Sequence, residues 1–246
     1  MRVPDPSPPI QAVILDMDGV LIDTEPVWRA VETQVFGELG THLSDADMLD
    51  TMGRRITEVV AHWRRHRPWP GAGSGEPSDE AIASRVIDGM IAHVRAQGEP
   101  IPGVDAAVAV LHRLGIPVAI ASSSPHPLID AVCDRLGLGW IAVRCSASDE
   151  ARGKPAGDVY RTAARRLGLS PAVCLAVEDS PSGVLAAGDA GMRCVAIPDP
   201  LLAGDPRYRM ADRVLRSLGE LDEGLLRSLG WTSVRGDGEE ERPGRW

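Results

Sequence analysis

Four short apolar runs punctuate the chain: residues 11–15 (QAVIL), 117–121 (PVAIA), 173–177 (VCLAV) and 193–197 (RCVAI). They are nearly continuous rather than alternating, and Gly, Pro, Ser or Asp bounds them, which predicts strands of a parallel sheet covered on both faces. Between the later runs, segments 103–114, 127–136, 158–167 and 181–190 carry apolar residues at helical spacing. Gly115, Gly137 and Gly168 follow three of these segments as C-terminal stops. Strand and helix in alternation predict an α/β fold with a Rossmann-like, doubly wound parallel sheet as its core. Ligands of such sheets gather at the carboxyl ends of the strands.

The alternation breaks over residues 25–98, where helical patterns dominate and no strand pattern appears. An inserted all-helical domain is therefore expected at 25–98, with the α/β core formed by 1–24 and 99–230. Within the insert, residues 68–78 (PWPGAGSGEPS) read as a loop joining two helical halves. Residues 231–246, charged and rich in glycine, read as a disordered tail.

Charge changes the picture next. A formal net charge of -9 and a pI near 5.2 argue against a nucleic-acid or anionic-membrane partner, since either would favour a basic face. No stretch approaches a membrane span, and the opening MRVPDPSPPIQ lacks the apolar run of a signal peptide. A cytoplasmic monomer acting on a small molecule is expected. Cys133, Cys145, Cys174 and Cys194 are widely spaced with no CxxC pair, so they read as small buried apolar residues. Of 26 Lys and Arg residues only Lys154, in RGKPAGDVY, is a lysine. An ammonium on a flexible stem can follow a moving phosphoryl oxygen, which a rigid guanidinium fork cannot; the competing reading is a lysine left there by chance.

The candidate chemistry falls at strand ends. The first strand runs into DMDGVLIDTEP, which puts Asp16 and Asp18 on one side of an extended segment with Gly19 opening a turn. The second ends in Ser122, Ser123 and Ser124 just before a helix, where hydroxyls either cap the helix or, with its N–H groups, form an anion site. A later strand delivers Glu178 and Asp179, with Ser180 and Pro181 opening the next helix. Four carboxylates in one pocket repel, each close pair by about 4 kcal/mol at an effective dielectric near 20. One lysine cannot neutralise them. A divalent cation with oxygen ligands can, and Mg²⁺ is the ion that also carries substrate phosphate.

The order DxDG, a strand ending in Ser, a lone Lys and a strand ending in ED resembles the haloacid dehalogenase superfamily of phosphotransferases over residues 11–221. The resemblance implies a nucleophile at Asp16, a general acid/base at Asp18 and phosphate-binding hydroxyls at Ser122 and Ser123. It further implies a charge-neutralising Lys154 and metal ligation by Asp16, Asp179, Glu178 and the backbone carbonyl of Asp18. The insert at 25–98 would be a helical cap that closes over the site.

Within that insert, TMGRRITEVVAHWRRHRPWP is similar to the cap of bacterial hexose-phosphate phosphatases, including those for 2-deoxyglucose 6-phosphate and hexitol phosphates. Arg54 and Arg55 are candidates to face a phosphosugar, and a solvated arginine face is the alternative. Val59, Val60 and Trp63 form a helical stripe that reads as core of the insert. The similarity implies a Mg²⁺-dependent phosphatase of a small sugar or sugar-alcohol phosphate. A β-phosphoglucomutase-like mutase is the alternative, weakened because related mutases carry a cap histidine where this chain has Trp28; a non-catalytic phosphosugar-binding protein comes third. KPAGD departs from the usual KPxPD, and Gly157 in place of proline predicts a looser entry into the following helix.

Overall fold

The computed structural model describes residues 8–74 and 77–232. Along the chain it contains β1 (Ala12–Leu15), α1 (Glu25–Glu38), α2 (Asp45–Thr51), α3 (Ile56–His66), α4 (Asp79–Gln97), α5 (Val104–Arg113), β2 (Val118–Ser122) and α6 (His126–Arg135). There follow β3 (Val143–Ser146), α7 (Asp158–Arg166), β4 (Cys174–Glu178), α8 (Pro181–Asp189), β5 (Arg193–Ala196), β6 (Arg213–Val214) and α9 (Glu223–Ser228). The strands form one sheet in the order β3-β2-β1-β4-β5-β6, and every pairing is parallel. The expected doubly wound α/β core is present.

Successive strand residues feed opposite faces, as the period of two requires. Val13, Leu15, Ile120, Leu175 and Val177 pack into one apolar cluster, while Ala12, Ile14, Ala119, Ala121 and Ala176 pack into another. Small residues dominate the second face, and there the alanine-rich α7 and α8 lie close to the sheet through Ala163, Ala164, Ala186 and Ala187. With both faces buried, the strands show no polar alternation.

Two strands escaped the sequence reading. β3 and β6 occupy the two edges of the sheet, and each carries an arginine, Arg144 or Arg213, that breaks the apolar run. Half-solvated edges tolerate such residues, so the pattern that marks a central strand is missing there.

Among the described residues, 25–97 contain four α-helices and no strand. α1 and α3 pack on α4, and α4 also packs on α6 of the sheet-bearing part. Val59, Val60 and Trp63 are buried, as expected of core positions. The 68–78 loop is anchored: Trp69 and Ala72 are buried, and Arg64 of α3 donates to the carbonyls of Ala72 at 2.8 Å and Pro77 at 2.7 Å. The expected tail at 231–246 starts too early. Trp231 is buried and bridges in parallel to Ile10, because its ring closes the apolar cluster beneath α9; the remainder, 233–246, lies outside the described residues. All four cysteines are free and buried. No helix among the described residues is long and apolar enough to cross a membrane.

Gly157 also behaves differently from expectation. Its N–H donates to Asp189 Oδ2 at 2.8 Å, and a Cβ there would lie 2.5 Å from the Ala190 nitrogen and 2.7 Å from the Ala186 carbonyl oxygen. The glycine lets the start of α7 approach the end of α8, so the entry is tight.

Candidate active site

β1, β2 and β4 lie side by side at the centre of the sheet, so their carboxyl ends deliver side chains to one place. Asp16 continues β1 by one residue, its N–H donating to the Val177 carbonyl at 2.9 Å. Lys154 bridges two of these ends, with Nζ 2.6 Å from Glu178 Oε1 and 2.9 Å from Asp16 Oδ1. The Asp16 contact is an ion pair without hydrogen-bond alignment. The Tyr160 hydroxyl, on α7, donates to the same Glu178 oxygen.

Lys154 is only 2% exposed. Burial opposes its charge, but Asp16 and Glu178 together outweigh burial and hold its pKa above the usual lysine value. For Asp16, burial is the largest influence and Glu178 adds to it; Lys154 pulls the other way, and the carboxyl ends at about 8. Burial, then Glu25 and Asp16, push Asp179 well above the usual carboxylate range. One ammonium cannot hold three buried carboxyls ionised together.

The three acids suit a divalent cation. Asp16, Glu178 and Asp179 each offer an oxygen, and these lie within 4.8 Å of one another. Asp179 Oδ2 is buried without a hydrogen-bond partner, which is costly unless something else meets it. Two glycines make room for the acids: a Cβ on Gly19, which has φ +71°, would collide with the Asp179 carboxylate, and one on Gly183 with the Glu178 carboxylate. Hard oxygen donors of this kind fit Mg²⁺.

The Asp18 carboxylate stands outside that trio and is held by four donors. Oδ1 accepts from Thr24 Oγ1 at 2.7 Å and Trp28 Nε1 at 3.0 Å. Oδ2 accepts from Ser124 Oγ at 2.7 Å and Ser122 Oγ at 3.4 Å. Ser122 does not cap α6, whose N-cap position is Pro125; its hydroxyl accepts from the Ser124 N–H at 3.0 Å in a local turn. Ser123 donates its hydroxyl to the Gly53 carbonyl at 2.7 Å, tying the α2–α3 loop to the end of β2.

Asp16, Asp18, Ser123, Ser124 and Asp179 border a cleft, partly open to solvent, between the strand ends and the helical segment. Its lining includes Asp16, Asp18, Ser123 and Asp179 from the sheet side and Glu25, Trp28, Arg29, Glu32, Arg54 and Val59 from the helical segment. Arg54 thus faces the cavity, but Arg55 does not line it. Arg55 donates to the carbonyls of Ala147 at 3.3 Å and Glu150 at 2.9 Å and pairs with Glu58, so it fastens the helical segment to the loop after β3.

The sequence reading missed Tyr160, Thr24 and the α1 residues Glu25, Arg29 and Glu32, and it did not foresee that Ser124 would donate to Asp18. For α1 a signal existed. Positions 25, 29 and 32 share a helical face with the buried Val35 and Phe36, so charged residues there interrupt an apolar stripe.

Residues 10–191 match the family of haloacid dehalogenase-like hydrolases. Hexitol phosphatase B of Escherichia coli (strain K12) is 39% identical over 214 residues, which span 86% of this chain and 94% of that protein. A putative phosphatase of Bacillus subtilis (strain 168), YhcW, is 31% identical over 226 residues, 88% of this chain and 96% of the relative. The crystal structure of CbbY from Rhodobacter sphaeroides in complex with phosphate superposes with a TM-score of 0.78 at 28% identity, covering 89% of this chain and 99% of the other. β-Phosphoglucomutase from Clostridium difficile gives 0.77 at 18% identity over 89% and 96% of the two chains, a likeness of fold.

Proposed function

Because the chain belongs to the haloacid dehalogenase-like hydrolases, we propose that it is a Mg²⁺-dependent phosphatase hydrolysing the monophosphate of a small sugar or sugar alcohol. The observation that carries this reading is the buried Asp16, Lys154, Glu178 and Asp179 cluster beside Asp18, with Asp16, Asp18 and Asp179 bordering a cleft under the helical segment. Hexitol phosphatase B, at 39% identity, favours the substrate class.

In this reading Asp16 attacks phosphorus, forming an aspartyl-phosphate as the bond from phosphorus to the leaving oxygen breaks. Asp18 gives that oxygen a proton and later takes one from the water that hydrolyses the intermediate. Four donors position the Asp18 carboxylate as a proton acceptor, and to act as the acid it takes up a proton in place of one of these hydrogen bonds. Lys154 withdraws charge from the phosphoryl oxygens, while Ser122 and Ser123 border the place they would occupy. Mg²⁺, held by Asp16, Glu178, Asp179 and the backbone carbonyl of Asp18, would supply further neutralisation of phosphate charge when bound. Residues 25–98 act as the cap, fastened over the site through Ser123 and Arg55.

A mutase is disfavoured at Trp28. Its indole N–H donates to Asp18 and has no basic atom with which to relay a proton. Phosphate release from 4-nitrophenyl phosphate and from a panel of phosphorylated sugars, with Mg²⁺ and with chelator, tests the function. Mg²⁺-dependent release is expected, and Asp16→Asn, which keeps the side-chain shape, is expected to abolish it in a folded protein. Turnover by Asp16→Asn at the parent rate removes Asp16 from the mechanism, and full activity after chelation removes the metal.

A further inference from the structure

The α1 wall of the cavity carries polar groups that the proposed phosphoryl chemistry does not use. Glu32 is 7% exposed and lines the cavity together with Arg29, one helical turn earlier, and with the apolar Met48, Ile56 and Val59. Among the described residues neither Glu32 nor Arg29 makes a hydrogen bond or an ion pair, and Arg29 Nη1 is buried without an acceptor. A methionine or leucine at position 32 would continue the buried stripe of Val35 and Phe36 and spare the cost of burying an unpartnered carboxyl. Glu25 acts electrostatically on both Glu32 and Arg29, but their hydrogen-bonding capacity is left for whatever enters the cavity.

We infer that Glu32 and Arg29 bind hydroxyl groups on the uncharged end of the substrate and so select polyol monophosphates. This rests on the phosphatase reading and names the residues that choose among its substrates. The chemistry matches in both senses of the hydrogen bond. Arg29 only donates, so it suits hydroxyl oxygens. Burial pushes the Glu32 carboxyl up to about 8, so near neutral pH it is largely protonated and can both donate and accept. Both signs of charge line this wall, with Glu25 beside Arg29 and Arg54. Hydroxyls, which both donate and accept, can use every one of these groups.

The test compares kcat/KM for sorbitol 6-phosphate with kcat/KM for 4-nitrophenyl phosphate, whose leaving group has no hydroxyl to bind beyond the one formed by cleavage. In Glu32→Met the ratio of the two is expected to fall roughly 10- to 100-fold, mainly through KM for the polyol substrate, as for a lost buried hydrogen bond. The variant should fold at least as stably as the parent, since it removes a stranded carboxyl. Glu32→Gln, which keeps a donor and an acceptor, should bring the ratio back to within about threefold of the parent, and Arg29→Met should lower it. A ratio in Glu32→Met within about twofold of the parent overturns the inference. If the parent hydrolyses 4-nitrophenyl phosphate but no polyol phosphate, the substrate reading itself fails, and the inference falls with it.

Discussion

Lys154 sits in a slot with an anion on two sides and the Tyr160 ring 5.2 Å away. That slot holds a compact ammonium; a guanidinium is wider and aims its donors in one plane. Lys154→Arg is therefore expected to lose at least about 100-fold in kcat/KM, nearly as much as Lys154→Ala, although only the second removes the charge. Steady-state kinetics on one phosphosugar decides the matter, and near-parental activity in Lys154→Arg would show that charge alone suffices. Residues of this kind were legible in the sequence because their types are costly where they occur: acids at the ends of apolar strands, and one lysine among arginines. Glu32 was marked only by its interruption of the apolar stripe of α1, and packing was needed to show that position 32 lines a cavity. Tyr160 was hidden for a related reason. Its place over Glu178 depends on how α7 meets β4.

Between α2 and α3 the chain has a short loop whose backbone, more than its side chains, meets the sheet. The Met52 carbonyl accepts from Ser182 Oγ at 3.2 Å and the Gly53 carbonyl from Ser123 Oγ at 2.7 Å. Gly53 has φ +77°, and a Cβ there would stand 2.5 Å from Ser182 Oγ and 2.7 Å from Ser180 Oγ. Gly53→Ala combines a left-handed conformation costing roughly 1–2 kcal/mol with displacement of the loop from α8. The expected result is a rise in KM and a drop of about tenfold or more in kcat/KM, with a fall in thermal midpoint of roughly 2–8 °C from the backbone strain. Parental kinetics in that variant would argue that loop docking does not limit turnover. Central strands and the helices around them could be read from periodicity, but edge strands β3 and β6 and the seam between loop and sheet could not. Those features arise from contacts between residues far apart in the chain, as Arg55 meeting Glu150 shows. The same limit explains Gly157, which looked like a loosened joint until α8 was seen against it.

A molecule with a net charge of -9 gathers three of its carboxyls around one buried lysine, so the fold itself opposes its own active site when no cation is bound. This links metal binding to global stability. If Asp16, Glu178 and Asp179 bind Mg²⁺ in the native state alone, adding it to about 100 times its Kd should stabilise the protein by about 2.7 kcal/mol. For a chain of this length that corresponds to a rise in Tm of roughly 5–10 °C. Asp179→Asn separates this from a nonspecific salt effect. The substitution removes a buried carboxyl whose Oδ2 has no partner, so without metal it should be as stable as the parent or more so. With Mg²⁺ it should gain little, since one ligand charge is gone. Thermal unfolding of both proteins in chelator and in Mg²⁺, at constant ionic strength, reads all four values. Equal Mg²⁺-induced shifts in the two proteins would place the ion elsewhere, whereas loss of the shift in the variant alone ties the metal, the acidic cluster and the stability of the whole chain to Asp179.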